Sequence, residues 1–86
     1  MMYIKQITSD NWMQFKNKPA NIFVLRKELI DEVREIGIVI VRYWNGRKSF
    51  EINTISGKTY GAFASIEMMI EAWWHLFDFY YIEVKK

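Results

Sequence analysis

Residues 37–82 read GIVIVRYWNGRKSFEINTISGKTYGAFASIEMMIEAWWHLFDFYYI, a stretch that predicts three antiparallel strands followed by one long aromatic helix. Asn45-Gly46 lies between two alternating runs, and this dipeptide suits a type I′ turn because both central residues of that turn need positive φ. Ser56-Gly57 supplies a second turn one strand later. The predicted fold class is therefore α+β, with a three-stranded antiparallel meander packed on a long C-terminal helix.

Two-residue loops at both turns fix the register of the predicted sheet. Trp44 then lies opposite Arg47, and Ile52 lies opposite Gly61 in the second hairpin. Because successive residues of a strand point to opposite faces, the residues divide into two sets. The predicted core face carries Val39, Val41, Tyr43, Phe50, Ile52, Thr54, Gly61 and Phe63. The other face is basic and aromatic, and its polar and aromatic residues include Arg42, Trp44, Arg47, Asn53, Lys58 and Tyr60.

The C-terminal helix is predicted over residues 65–82. Ser65 suits the N-cap, and Glu67 in the first turn is favourable to the helix dipole. The sheet-facing stripe of this helix carries Ile66, Met69, Ile70, Trp73, Phe77 and Tyr80. Four further large apolar residues fall outside that stripe, namely Met68, Trp74, Phe79 and Tyr81. We expect these four to face a partner, because a helix with more apolar residues than one stripe can bury presents a surface to another chain.

Residues 1–37 form the N-terminal segment of a predicted single domain, 1–86, whose sheet spans 38–63. Residues 1–8 favour a short strand, and Ser9 or Asp10 can cap a short helix that ends before Pro19. A second helix is predicted over 19–36, with apolar residues at three- and four-residue steps. A buried strand over IFVL, residues 22–25, is the alternative, and apolar periodicity alone leaves both interpretations open.

Composition limits the function classes. The 86 residues are 51% hydrophobic, carry a net charge of +2 and include no cysteine, so disulfides and thiolate metal sites are excluded. We expect a soluble, cytoplasmic protein without a membrane partner, in the host cytoplasm if a phage encodes it.

His75 is the only histidine, and Glu71 and Asp78 lie near it on one helix face. A catalytic or metal site would need further ligands or a nucleophile, and no residue is spaced to supply them. The sequence predicts no enzyme, no metal and no cofactor.

One resemblance rests on three groups of residues. Arg42, Trp44 and Arg47 occupy the first hairpin, the run GKTYGAF covers residues 57–63, and Ser65, Glu67, Ala72 and Trp73 open the helix. These pieces resemble the three-stranded-sheet-plus-helix DNA-binding domains of tyrosine-integrase arm-binding type and plant ethylene-response-factor type. In those domains the sheet enters the major groove. The resemblance implies DNA contacts by Arg42, Trp44, Arg47, Asn53 and Lys58.

Two functions are expected from these surfaces. The first is a small non-catalytic protein-interaction module with Met68, Trp74, Phe79 and Tyr81 as anchors, because aromatic residues and methionine dominate interface cores. Its size fits a phage or mobile-element inhibitor acting on a nucleic-acid-handling host protein, as in anti-CRISPR proteins, and self-association into a dimer would use the same residues. The alternative is a duplex-DNA reader that uses Arg42, Trp44, Arg47, Asn53, Lys58 and Tyr60.

Overall fold

A computed structural model describes residues 1–27 and 35–84. In these residues the chain forms a six-stranded antiparallel sheet. The strands are β1 (Met2–Ile7), β2 (Ile22–Arg26), β3 (Ile36–Trp44), β4 (Arg47–Thr54), β5 (Thr59–Phe63) and β6 (Phe77–Val84). Their order in the sheet is β1-β6-β2-β3-β4-β5. One α-helix, α1 (Ile66–Trp73), connects β5 to β6, and 3-10 turns cover Trp12–Phe15 and Pro19–Asn21.

The β3–β4 hairpin follows its turn chemistry. Asn45 and Gly46 have φ values of 49° and 75°, as a type I′ turn requires. Trp44 pairs with Arg47, and Val41 pairs with Phe50. The register predicted for this hairpin is therefore confirmed.

The β4–β5 hairpin departs from its predicted register through a β-bulge. Phe50 pairs with Phe63 as expected, but Ile52 pairs with Tyr60 rather than with Gly61. Gly61 has a φ of 114°, a conformation that glycine adopts at little cost, and β5 accommodates one extra residue there. Tyr60 consequently turns to the core face of the sheet, and its predicted place on the basic face is wrong.

The predicted long C-terminal helix is also wrong. Helix α1 does begin after Ser65, whose Oγ accepts a hydrogen bond from the Met68 N–H at 3.2 Å, but it ends at Trp73. The chain then forms β6, in which Phe77, Phe79 and Tyr81 alternate with less buried residues. Because β6 lies between β1 and β2, its backbone groups find partners on both sides. The α+β prediction of a three-stranded meander on a long helix is replaced by a mainly antiparallel-sheet architecture with one short helix.

The N-terminal segment supplies two strands to the same sheet. The helix predicted over 19–36 is wrong where the structure describes it, since Ile22–Arg26 form β2; its residues 28–34 lie outside the described part. The alternative of a strand over IFVL is confirmed, and so is the N-terminal strand, which pairs with β6. Local apolar spacing fits either structure at IFVL, and pairing with β3 and β6 decides it.

The core lies on one face of the sheet. Helix α1 buries Ile66, Met69 and Ile70 there, and the Phe15 ring stacks on Tyr81 with centroids 4.6 Å apart. The other buried apolar residues are Ile7, Ile22, Val24, Val39, Phe50, Ile52, Phe77 and Phe79. In the described ranges, no helix has the length and apolar character needed to cross a bilayer.

Candidate protein-binding surfaces

The four residues predicted to face a partner separate into two pairs. Phe79 and Tyr81 occupy core-facing positions of β6 and are only 2% and 4% exposed, so they do not belong to an exposed surface. Met68 and Trp74 lie on and just after α1, and their side chains are 51% and 60% exposed. The alternation of a strand, rather than the spacing of a helix, explains the burial of the first pair.

Trp74 stands beside a cleft with a volume of about 430 Å³. Buried apolar side chains, those of Ile7, Ile70, Phe77 and Phe79, form its floor. The more exposed lining residues are Trp74, Lys27, Glu71, Asp78, Gln6, Thr8 and Ser9. We call this feature the Trp74 cleft. It combines an apolar floor with a rim that carries both signs of charge.

The walls of the Trp74 cleft are fixed by short contacts. The backbone N–H of Trp74 donates to the Ile70 carbonyl at 2.8 Å and so continues the hydrogen bonding of α1. The Lys27 N–H donates to the Leu76 carbonyl at 2.8 Å, which ties the end of β2 to the segment before β6. The Lys27 Nζ lies 5.2 Å from the centroid of the Trp74 ring, within the range of a cation–π interaction. The indole is therefore held beside the cleft.

The sheet face opposite the core carries a continuous band of apolar side chains. Tyr80, Phe23 and Ile38 are directly opposed neighbours on β6, β2 and β3, and the Phe23 and Tyr80 rings stack with centroids 5.3 Å apart. Ile4 and Ile38 are each 53% exposed. We call this band the apolar strip, and it comprises Ile4, Ile82, Tyr80, Phe23, Ile38 and Ile40.

The basic residues assigned to DNA contact are only partly brought together. Arg42 donates from Nε to Glu51 Oε1 at 2.6 Å, and this hydrogen bond is the main cause that lowers the pKa of Glu51. Asn53 also donates to Glu51, at 3.3 Å, and accepts a 2.7 Å hydrogen bond from the Thr59 hydroxyl. Trp44 and Arg47 face each other, exposed, beside the β3–β4 turn.

The other two residues of that set lie apart from the hairpin. Lys58 is exposed in the turn between β4 and β5. The Tyr60 ring packs edge-on against Trp73 with centroids 4.8 Å apart, on the core side of the sheet. Because Arg42 is already paired with the carboxylate of Glu51, phosphate binding at this surface would depend on Arg47 and Lys58.

Most of the Trp74 cleft and of the apolar strip could not be predicted from the sequence. Three separate segments build the Trp74 cleft, around Ile7, Lys27 and residues 70–79, and no local spacing connects them. In the apolar strip, Ile38 and Ile40 alternate with Val39 and Val41 and so lie on the same face of β3 as Arg42 and Trp44, which the β3–β4 register requires. Phe23, Tyr80 and Ile82 were assigned to helices, so their alignment with Ile38 was not visible.

Comparison of the chain with protein-family models, with curated proteins and with solved structures found no match.

Proposed function

We propose that the protein is a small non-catalytic protein-interaction module that receives an apolar side chain of a partner protein in the Trp74 cleft. The observation that carries this proposal is a tryptophan, 60% exposed, beside a cleft whose floor is apolar. Tryptophan is among the residues most enriched in interface hot spots, and such hot spots fill well-packed, desolvated pockets. The nature of the partner, expected from the sequence to be a nucleic-acid-handling host protein, stays a prediction.

Covering the Trp74 side chain releases a large hydrophobic free energy for a single residue. A tryptophan side chain buries roughly 150–250 Å² in an interface, so covering its exposed part contributes about 2–4 kcal/mol of hydrophobic free energy, which offsets part of the cost of association. The contact between Lys27 and the indole supports the same role, because a ring already held in place loses less conformational entropy on binding.

The rim of the Trp74 cleft adds selectivity to this apolar contact. Lys27 contributes a positive group, and Glu71 and Asp78 contribute negative groups. Groups of both signs favour a partner residue that is apolar and flanked by polar side chains. Since the main contribution is apolar, the association should change little with salt, unlike binding to phosphates.

The test compares two exposed tryptophans on different parts of the molecule. The protein is immobilised and used to select from a phage-displayed library of random peptides, and the selected peptides are titrated against wild type, Trp74→Ala and Trp44→Ala. Trp44 is 78% exposed on the β3–β4 hairpin, so it is the matched control. We expect Trp74→Ala to weaken peptide binding by about tenfold or more and Trp44→Ala to leave it unchanged.

A library that yields no binding peptide, or peptides that bind Trp74→Ala as well as wild type, would contradict the proposal. The DNA alternative gives a different pattern. A mixed-sequence duplex would then bind with an affinity that falls steeply with salt, and Trp44→Ala and Arg47→Ala would weaken it.

A further inference from the structure

We propose that an extended segment of a partner protein adds to the outer edge of β1 as a further strand of the sheet. The segment carries apolar residues at alternate positions and an acidic residue where it meets Lys5. The proposal goes beyond the function assigned to the Trp74 cleft, because that cleft lies at the end of β1 that carries Ile7.

Strand β1 is an edge strand that is open to pairing. In the described part of the chain it pairs with β6 alone, in a continuous register over all its residues, and residues 2–6 are exposed. The other edge strand, β5, is interrupted by the bulge at Gly61, and bulges are one of the devices that protect a sheet edge from a further strand. Of the two edges, β1 therefore offers the better template for an added strand.

The hydrogen bonding of β6 determines which backbone groups of β1 point outward. The side-chain amide of Asn21, the residue before β2, donates to the Ile82 carbonyl at 2.8 Å, so this carbonyl faces β2. Ile82 pairs with Ile4, and two opposed residues that do not exchange hydrogen bonds direct their N–H and C=O groups away from each other. The backbone groups of Ile4 therefore face outward. Those of Gln6 agree with this alternation, since the Gln6 carbonyl accepts a 2.9 Å hydrogen bond from the Asn11 side chain rather than from β6.

Met2 and Ile4 form the open part of this edge. Because the direction alternates along a strand, the N–H and C=O of Met2 also face outward, and no described residue donates to or accepts from either pair of groups. The side chains of Met2 and Ile4 are 59% and 53% exposed, so the edge is accessible. Outward groups two residues apart repeat every 6.8 Å or so along a strand, which is the repeat of donors and acceptors that an extended polypeptide presents.

The side chains of β1 define the chemistry of the added segment. Ile4 belongs to the apolar strip, and Met2 lies on the same face, so apolar residues opposite them would continue the strip across the new strand. Lys5 points to the other face, is exposed, and forms no ion pair with any residue that the structure describes. A carboxylate opposite Lys5 would supply a countercharge, since oppositely charged residues on neighbouring strands attract each other.

The test selects peptides that use this edge. A phage-displayed library of short peptides with apolar residues fixed at alternate positions is selected on the wild-type protein, and the selected peptides are titrated against wild type, Ile4→Pro and Ile4→Ala. Proline at this position removes only an outward N–H and is tolerated on an edge strand, so β1 should still pair with β6. We expect Ile4→Pro to weaken binding by about tenfold or more and Ile4→Ala, which keeps the N–H, to weaken it by less than about threefold. Lys5→Glu should weaken the binding of peptides that carry an acidic residue.

Amide hydrogen exchange of the wild-type protein gives a second measurement that needs no folded variant. In the free protein the Ile4 N–H should exchange faster than the Lys5 N–H, which faces β6. A bound peptide should slow exchange of the Ile4 N–H by about tenfold or more. Circular dichroism establishes which variants are folded.

Selected peptides that bind folded Ile4→Pro as tightly as wild type would overturn the proposal, and so would peptides that leave exchange of the Ile4 N–H unchanged or a library that yields none. An Ile4 N–H already protected in a free protein that sediments as a dimer would place a second copy at this edge and would also overturn it. Failure here leaves the Trp74 cleft untouched. Peptides bound in the cleft lose affinity in Trp74→Ala and keep it in Ile4→Pro, whereas peptides bound at β1 show the reverse.

Discussion

Glu51 connects two neighbours on the face that carries the apolar strip. It accepts hydrogen bonds from Arg42 and Asn53, and its side chain is only 12% exposed. The Arg42 hydrogen bond holds the pKa of Glu51 below its ordinary value of 4.5. A carboxyl with a lowered pKa in the folded state stabilises the fold above its unfolded-state pKa, and this contribution is lost as pH falls through the folded-state pKa.

The prediction for Glu51 concerns acid stability. Between about pH 6 and about pH 3, the melting temperature of Glu51→Gln should fall by less than that of wild type, because the variant has no carboxylate at position 51 to protonate. Scanning calorimetry at both pH values measures the difference. An equal fall in the two proteins would contradict the assignment of this stabilisation to Glu51.

Gly61 marks the bulge that redirects Tyr60 into the core. It has a φ of 114°, and a Cβ there would stand 2.7 Å from the Phe63 ring. We predict that Gly61→Ala lowers the free energy of unfolding by about 2–4 kcal/mol, since both backbone strain and a clash are introduced. Gly46→Ala is the control: its φ is also positive, at 75°, but no atom lies within 4 Å of the added Cβ. Urea titration should show the smaller loss of stability for Gly46→Ala, and equal losses would mean that the contact between the added Cβ and the Phe63 ring costs nothing.

Helix α1 depends on its N-cap because it is short. It has 8 residues, and the hydrogen bond from Met68 N–H to Ser65 Oγ satisfies one of its free backbone donors. Ser65→Ala should lower the free energy of unfolding by about 1 kcal/mol, and Ser65→Asp, which keeps an acceptor at this position, should retain most of the stability. Urea titration of both variants measures this difference, and an Ser65→Asp variant as unstable as Ser65→Ala would count against the cap.

Secondary-structure elements whose conformation depends on a few adjacent residues could be predicted from the sequence. Elements whose conformation depends on pairing with distant strands could not. Asn45-Gly46 fixed the β3–β4 register, and Ser65 fixed the start of α1, since in both cases a few adjacent residues determine the backbone. Phe77, Phe79 and Tyr81 alternate as in a strand, yet Trp73, Phe77 and Tyr80 also fit helical spacing. Residues 77–84 form a strand because they pair with β1 on one side and β2 on the other, and this pairing cannot be predicted from the local sequence.

At the scale of the whole molecule, the sequence predicted more large apolar residues than the core can bury. It did not predict where on the surface these residues lie together. Trp74 was identified as an exposed anchor, but its cleft requires Ile7 and Lys27 from distant parts of the chain. The apolar strip likewise needs the sheet order, because Phe23, Ile38 and Tyr80 become neighbours only through strand pairing. The sheet thus has α1 on one face and the apolar strip on the other.

Occupation of the Trp74 cleft can be followed through the indole N–H signals of the 4 tryptophans in a ¹⁵N-labelled sample, assigned with Trp74→Phe and Trp44→Phe variants. Peptides selected on the protein are added stepwise, and duplex DNA is added to a second sample. We predict that peptide shifts the Trp74 signal and leaves the Trp44 signal in place, equally at low and at physiological salt. A Trp44 signal that moves with DNA, beside a Trp74 signal that moves with neither ligand, would contradict it.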